Sequence, residues 1–159
     1  MRCIIRKATL DDAAALCALH KASVRSLCAG VYSADQIEAW LASRAADLYR
    51  NAMTVEEQTK FVAQRDGRTV GFASIKGDTL KGLYVDPTHG RGAGRILLRT
   101  AEDHARSEGI AVLSLQATLN AVPFYERHGF VAGQRGAVVR GGLELPVVEM
   151  SKSLRSSNR

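Results

Sequence analysis

The chain is poor in the features that mark several protein classes. Its 159 residues include three cysteines, three prolines, one tryptophan and 6% aromatics. Cys3, Cys17 and Cys28 are odd in number and contain no Cys-x-x-Cys pair, so neither a disulfide framework nor a zinc site is indicated, and no metal is expected. No apolar run approaches the roughly 18 residues of a membrane span, and no leader pattern precedes the first strand. The expectation is a cytoplasmic protein without a membrane partner. No Gly-Lys-Ser/Thr triplet is present, which excludes a Walker loop. Acidic residues are the minority, 16 against 22 Lys+Arg, for a net charge of +6. The basic residues are scattered, with local enrichment only at Lys152, Arg155 and Arg159. A nucleic-acid partner is therefore not expected, while a small anionic ligand and a plain solvated basic surface both fit.

What is present fits one α+β domain large enough to bury a real core. The apolar fraction of 46% is ordinary for a globular protein. Cys3–Ala8 reads as a short strand. Thr9 then caps a helix running to about Leu27, with Ala13, Leu16, Cys17, His20, Val24 and Leu27 as its buried stripe. His20 is expected as a hydrogen-bonded residue at the core edge, and Cys17 as core. Ser33 and Gln36 form a capping box for a helix from Ala34 to about Arg44, and Thr54 with Glu57 suggests a further helical turn. Lys60–Arg65 and Thr69–Lys76 flank the hairpin signal Asp66-Gly67, and Gly77-Asp78 leads into a third strand, Thr79–Val85. A helix Gly92–Glu108 ends at Gly109. Val112–Ala117 is a strand, Asn120 caps a helix that tolerates Pro123, and three short strands follow at Phe130–Val131, Ala137–Arg140 and Leu143–Met150. The tail Lys152–Arg159 is expected to lack order.

The most informative segment is Leu83-Tyr84-Val85-Asp86-Pro87-Thr88-His89-Gly90-Arg91-Gly92-Ala93-Gly94-Arg95: a strand, a turn and a glycine-rich helix start. Such a start leaves backbone N–H groups unpaired at the positive end of the helix dipole, where an anion settles. Glycines at alternate positions after an antiparallel meander do not match the dinucleotide fingerprint, which follows the first strand of a βαβ unit. Twenty-six residues beyond Gly94 stands Asn120-Ala121-Val122-Pro123-Phe124-Tyr125-Glu126-Arg127-His128-Gly129-Phe130.

With both segments in place, the chain resembles the GNAT superfamily of acyl-CoA-dependent N-acetyltransferases. That family's Gln/Arg-x-x-Gly-x-Gly/Ala motif is matched by His89–Gly94 except at its first position. Its later Asn, Phe-Tyr and Gly-Phe are matched by Asn120, Phe124-Tyr125 and Gly129-Phe130. The resemblance extends over residues 2–154, leaving 155–159 as a tail. It implies a mixed, mostly antiparallel sheet flanked by helices, with a splayed central strand pair. Acetyl-CoA is the implied cosubstrate: its pyrophosphate rests on Gly90, Arg91, Gly92, Ala93, Gly94 and Arg95, and its pantetheine pairs with Leu83, Tyr84 and Val85 like an added strand. Asn120 either contacts the pantetheine arm or caps its helix. Val85 N–H is the implied oxyanion donor and Tyr125 the general acid; a phenol of pKa about 10 is protonated at neutral pH and donates to a thiolate of pKa about 8.5.

The chain departs from the family pattern twice. His89 stands where Gln or Arg is usual, either as a coenzyme contact or as an exposed turn residue. The early part of the splayed strand, Asp78-Thr79-Leu80-Lys81-Gly82, lacks the glutamate base of many relatives. Proton removal then runs through ordered water, or the acceptor has a low-pKa amine. The acceptor is expected among Tyr32, Gln36 and Trp40 in the first two helices and their loop, where an aromatic pair suits an apolar or cationic amine. The favoured reading is direct acetyl transfer to a small primary amine. Alternatives are a protein lysine or N-terminus as acceptor, or a non-catalytic acyl-CoA sensor. An available edge in Ala137–Met150 permits a homodimer.

Overall fold

The computed structural model describes residues 2–155. Seven strands form one sheet: β1 (Ile4–Lys7), β2 (Thr59–Arg65), β3 (Arg68–Lys76), β4 (Thr79–Val85), β5 (Val112–Thr118), β6 (Val131–Arg140) and β7 (Leu143–Ser153), in the order β1-β2-β3-β4-β5-β7-β6. Five α-helices among the described residues cover its faces: α1 (Ala13–Leu27), α2 (Ala34–Leu41), α3 (Ala46–Thr54), α4 (Ala93–Ser107) and α5 (Val122–Arg127). Every strand pairing is antiparallel except β4 with β5. The expected mixed, mostly antiparallel α+β fold is what the chain adopts.

Strand alternation divides the core in two. Phe61, Ala63, Ala73 and Ile75 pack on Leu97, Leu98, Ala101 and Ala105 of α4. The intervening Val62 and Phe72 pack on Leu16, Leu19 and Tyr49 of α1 and α3. A third cluster joins Val24, Cys28 and Tyr32 to Ile37, Trp40 and Leu41 of α2 and to Leu145 of β7. Apolar residues recur on α4 with helical period, and each fully buried leucine among them contributes about 1.5–3 kcal/mol.

The parallel pairing of β4 and β5 is in register only at Thr79–Ser114 and Leu80–Leu115. Beyond Leu80, β4 follows β3 while β5 follows β7, so the sheet opens at its centre. The expected splay is present.

Several boundaries differ from the sequence reading. The first helix begins as a 3-10 turn, Leu10–Asp12, whose Asp12 accepts from Thr9 N–H at 2.7 Å and takes a bidentate grip from Arg6 at 2.8 and 2.9 Å. Leu27, assigned to the buried stripe, is 44% exposed because it borders a cavity instead of packing on a neighbouring element. α2 stops at Leu41, and α3, not foreseen, follows; Thr54 ends that helix rather than starting a turn, and Glu57 takes a φ of +58° after it. Asn120 does not cap α5. It lies in a 3-10 turn, Leu119–Ala121, and the cap position falls to Ala121. With Asn120 as cap, the third helical residue would be Pro123, which has no N–H to donate. Instead of three short terminal strands there are two long ones, with a register shift between Ala132 and Arg135. The tail is ordered further than expected: Lys152 Nζ meets both carboxylate oxygens of buried Glu102 at 3.0 Å, and Leu154 is buried. The expectation for 156–159 lies outside the described residues.

Candidate active site

The open centre of the sheet has free backbone on one side. Asp86 N–H donates to the Val70 carbonyl at 2.8 Å, and Val85 stands opposite Gly71. In an antiparallel ladder this makes Val85–Gly71 a pair whose own N–H and C=O groups turn away from the partner strand. Val85 N–H and, two residues back, Leu83 N–H therefore face the gap. The Tyr84 backbone is turned to β3, and only its ring reaches the cleft.

The turn after β4 is built by Asp86. Its carboxylate accepts N–H bonds from Thr88 and His89, both at 2.8 Å, and its carbonyl accepts from Gly90 N–H at 2.8 Å. These bonds hold the Asp86 carboxyl below its usual range against the opposing effect of burial. Gly90 is required by packing: a Cβ there would lie 2.6 to 2.8 Å from backbone atoms of Asp86 and Val70. Ala93 is fully buried and its N–H donates to the Gly90 carbonyl at 2.9 Å. Two members of the expected cradle thus hold the turn together and have no N–H to offer. The cap residue Gly92 has φ +84°, with nothing within 4 Å of where a Cβ would stand. Arg65, which the sequence reading missed, donates to the carbonyls of His89 at 2.7 Å and Arg91 at 3.0 Å. With the Arg91 carbonyl tied back, the Gly92 N–H of the same peptide unit is aimed at the other side.

A cavity of about 750 Å³ runs from this loop along the gap. It is lined by Leu83, Tyr84, Val85, Gly90, Arg91, Gly92, Gly94, Arg95, Asn120 and Tyr125 among the predicted residues, and Ala93 is absent from its wall. His89 is also absent; its ring accepts from Arg68 at 2.7 Å and stays at the surface. Tyr125 is 6% exposed, edge-on to Phe124 and Phe130. Burial, and secondarily Tyr84, raises its phenol well above the usual value, so it holds its proton at neutral pH. Asn120 Oδ1 accepts from the Cys28 thiol at 3.4 Å, and burial pushes that thiol up to about 11.

A second cavity of about 630 Å³ occupies the opposite mouth of the gap. Tyr84 and Trp40 line both cavities. Tyr32 lines the second, but its hydroxyl is committed, donating to the Pro146 carbonyl at 2.6 Å and accepting from Leu119 N–H at 3.0 Å. Gln36 lines neither cavity; it closes its capping box and donates to the Glu144 carbonyl. His20 is buried as expected, its Nδ1 2.7 Å from the Tyr49 hydroxyl and its ring stacked on Tyr84 at 3.9 Å. Sequence reasoning did not find His20, Arg44, Lys60 and Arg140 as a group. Lys60 alone left a trace, a charge on the inward face shared with Val62.

A glycine-rich helix start, a split sheet with free N–H groups and a buried phenol line one cavity, the arrangement a coenzyme A-type acyl-transfer cleft requires. The match to the family model for the GNAT acetyltransferase domain covers residues 28–154, and the chain belongs to that family. A solved GCN5-related N-acetyltransferase from Rhodopseudomonas palustris superposes with a TM-score of 0.89 at 36% identity, over 96% of each chain. PaiA N-acetyltransferase from Thermoplasma acidophilum, solved in complex with coenzyme A, superposes at 0.75 with 25% identity, over 96% of this chain and 99% of that one. The glucosamine 6-phosphate N-acetyltransferase of Trypanosoma brucei brucei is 33% identical over 102 residues, 57% of this chain and 68% of the relative. The protein is an acetyl-CoA-dependent N-acetyltransferase.

Proposed function

We propose that this enzyme transfers acetyl from acetyl-CoA directly to the primary amine of a small molecule held in the 630 Å³ cavity. The observation that carries the reading is that the two cavities meet at Tyr84 and Trp40, one reaching the glycine-rich loop and the other bordered by α1–α3 and β7. A half-open cleft of this size suits a metabolite-sized acceptor. The name of the trypanosomal relative, which specifies a sugar phosphate, agrees with an acceptor of that size.

In this reading the N–H groups of Arg91, Gly92, Gly94 and Arg95, with the two arginine side chains, receive the coenzyme phosphates. The backbone of Leu83 and Val85 takes the pantetheine amides, and Asn120 borders that arm. The neutral amine attacks the thioester carbon, Val85 N–H takes the developing oxyanion, and Tyr125 protonates the leaving thiolate as the C–S bond breaks. The amine proton leaves to water. Three free cysteines suit a cytoplasmic enzyme, and the free edge of β6 is where a second copy would pair.

The test is a screen for amine-dependent thiol release from acetyl-CoA, with a library of small amines beside lysine-containing peptides and a protein N-terminus. Saturable release with small amines supports the reading. Release only with peptide or protein amines overturns it.

A further inference from the structure

The acceptor cavity carries an uncompensated positive wall. Its charged lining residues are Arg44, Lys60, Lys81 and Arg140 on one side of the balance and Glu56 and Glu149 on the other. None of the four cations forms an ion pair with a carboxylate among the described residues. Lys60 is 6% exposed, and its ammonium donates only to neutral oxygens, Ser74 Oγ at 2.6 Å and Gln58 Oε1 at 3.1 Å. Arg140 is delivered to the cavity by the β6–β7 hairpin, whose Gly141 packs so closely on α2 that a Cβ would lie 2.6 Å from the Ala39 carbonyl oxygen. Glu149 is engaged by Gln116 Nε2 at 2.9 Å, on the β5–β7 floor away from α1 and α2.

Two buried groups report the potential inside. His20 is 3% exposed, and burial together with Arg44, Lys60 and Arg140 lowers it to about 3. Lys60 is lowered to about 8, by burial first and Arg44 second, with Glu56 opposing. Burial is the larger cause for each, and the surrounding cations lower both further. His20 Nε2 is buried there without a partner. A buried polar atom without a partner is costly to leave unsatisfied, as is the charge of buried Lys60 without a carboxylate beside it.

We infer that the acceptor is an amine carrying an anionic group, a carboxylate or a phosphate, seated between Arg44, Lys60 and Arg140. The inference rests on the small-molecule reading above and narrows its substrate class.

Matched acceptor pairs test it: ethanolamine against O-phosphoethanolamine, and isoamylamine against leucine, each followed by thiol release with saturating acetyl-CoA. The anionic member of at least one pair is expected to have a kcat/KM at least tenfold higher, mainly through KM, with the preference shrinking as salt rises. Arg44→Gln and Arg140→Gln are expected to narrow that ratio while coenzyme A affinity, which reports the fold, stays unchanged. A ratio near one in both pairs, or one unaltered by both substitutions, overturns the inference and leaves the small-molecule reading standing. Turnover restricted to peptide amines removes both. If no tested amine is acetylated, binding decides. Inorganic phosphate added to the coenzyme A-saturated protein at low salt is expected to raise Tm in the native chain and not in the Arg44→Gln/Arg140→Gln variant. No shift in the native chain overturns the inference.

Discussion

Gly92 and Gly67 provide a matched pair of substitutions that separates backbone strain from ligand space. Both have positive φ, +84° and +75°, and at both sites a Cβ would meet nothing within 4 Å. An alanine at either position bears the same left-handed backbone cost, about 1–2 kcal/mol. For a chain of this length that corresponds to a Tm decrease of about 2–8 °C. Only Gly92 lines the coenzyme cavity; Gly67 sits in the β2–β3 hairpin. The space in front of Gly92 is where the phosphates are proposed to lie, so Gly92→Ala is expected to weaken acetyl-CoA binding at least tenfold, about 1.4 kcal/mol, while Gly67→Ala leaves it unchanged. Calorimetric titration with acetyl-CoA and thermal unfolding of both variants give the two numbers. Equal coenzyme affinity in the two variants, at similar Tm, would refute the assignment of this loop as the phosphate site.

Further expectations follow from single residues. Tyr125→Phe is expected to lower kcat by about 10²-fold or more with coenzyme affinity unchanged, since only the proton donor is removed; single-turnover thiol release against equilibrium binding checks the split. Lys60 is depressed from 10.5 to about 8, so between those values the unfolded chain binds the extra proton, and its contribution to stability rises with pH. The gain is about 3 kcal/mol from pH 7.5 to 11 and is absent in Lys60→Met, as urea unfolding of both at the two pH values would show. Gly141→Ala combines a φ of +56° with a 2.6 Å contact to the Ala39 carbonyl oxygen, and is expected to cost more than 2 kcal/mol and to raise the acceptor KM by displacing Arg140. An unchanged KM in this variant would remove the hairpin from the acceptor site.

Local signals located the elements wherever they were strong. Asp66-Gly67 placed the hairpin, Ser33-Gln36 the cap of α2, and Gly109 the end of α4, because each is a short-range steric or hydrogen-bond device. α3 was not readable: its cap is Ala45, without a side-chain acceptor, and it buries only Tyr49 and Ala52. The glycine-rich loop was readable as a unit, since it is contiguous in sequence, although Gly90 and Ala93 turned out to be spent on the turn itself. The basic cluster of the second cavity was not. Arg44, Lys60 and Arg140 come from three distant parts of the chain, and only the packing of the β6–β7 hairpin on α2 brings the last of them to the others. Gln36 shows the converse: its capping partners claim the side chain that sequence proximity had offered to the acceptor.

The most direct test of the cleft's assignment is a crystal structure with coenzyme A. The account predicts the pyrophosphate within hydrogen-bond distance of the N–H groups of Arg91, Gly92, Gly94 and Arg95, and the pantetheine paired with Leu83 and Val85 in the gap between β4 and β5. A coenzyme bound elsewhere, with those N–H groups turned to solvent, would contradict it.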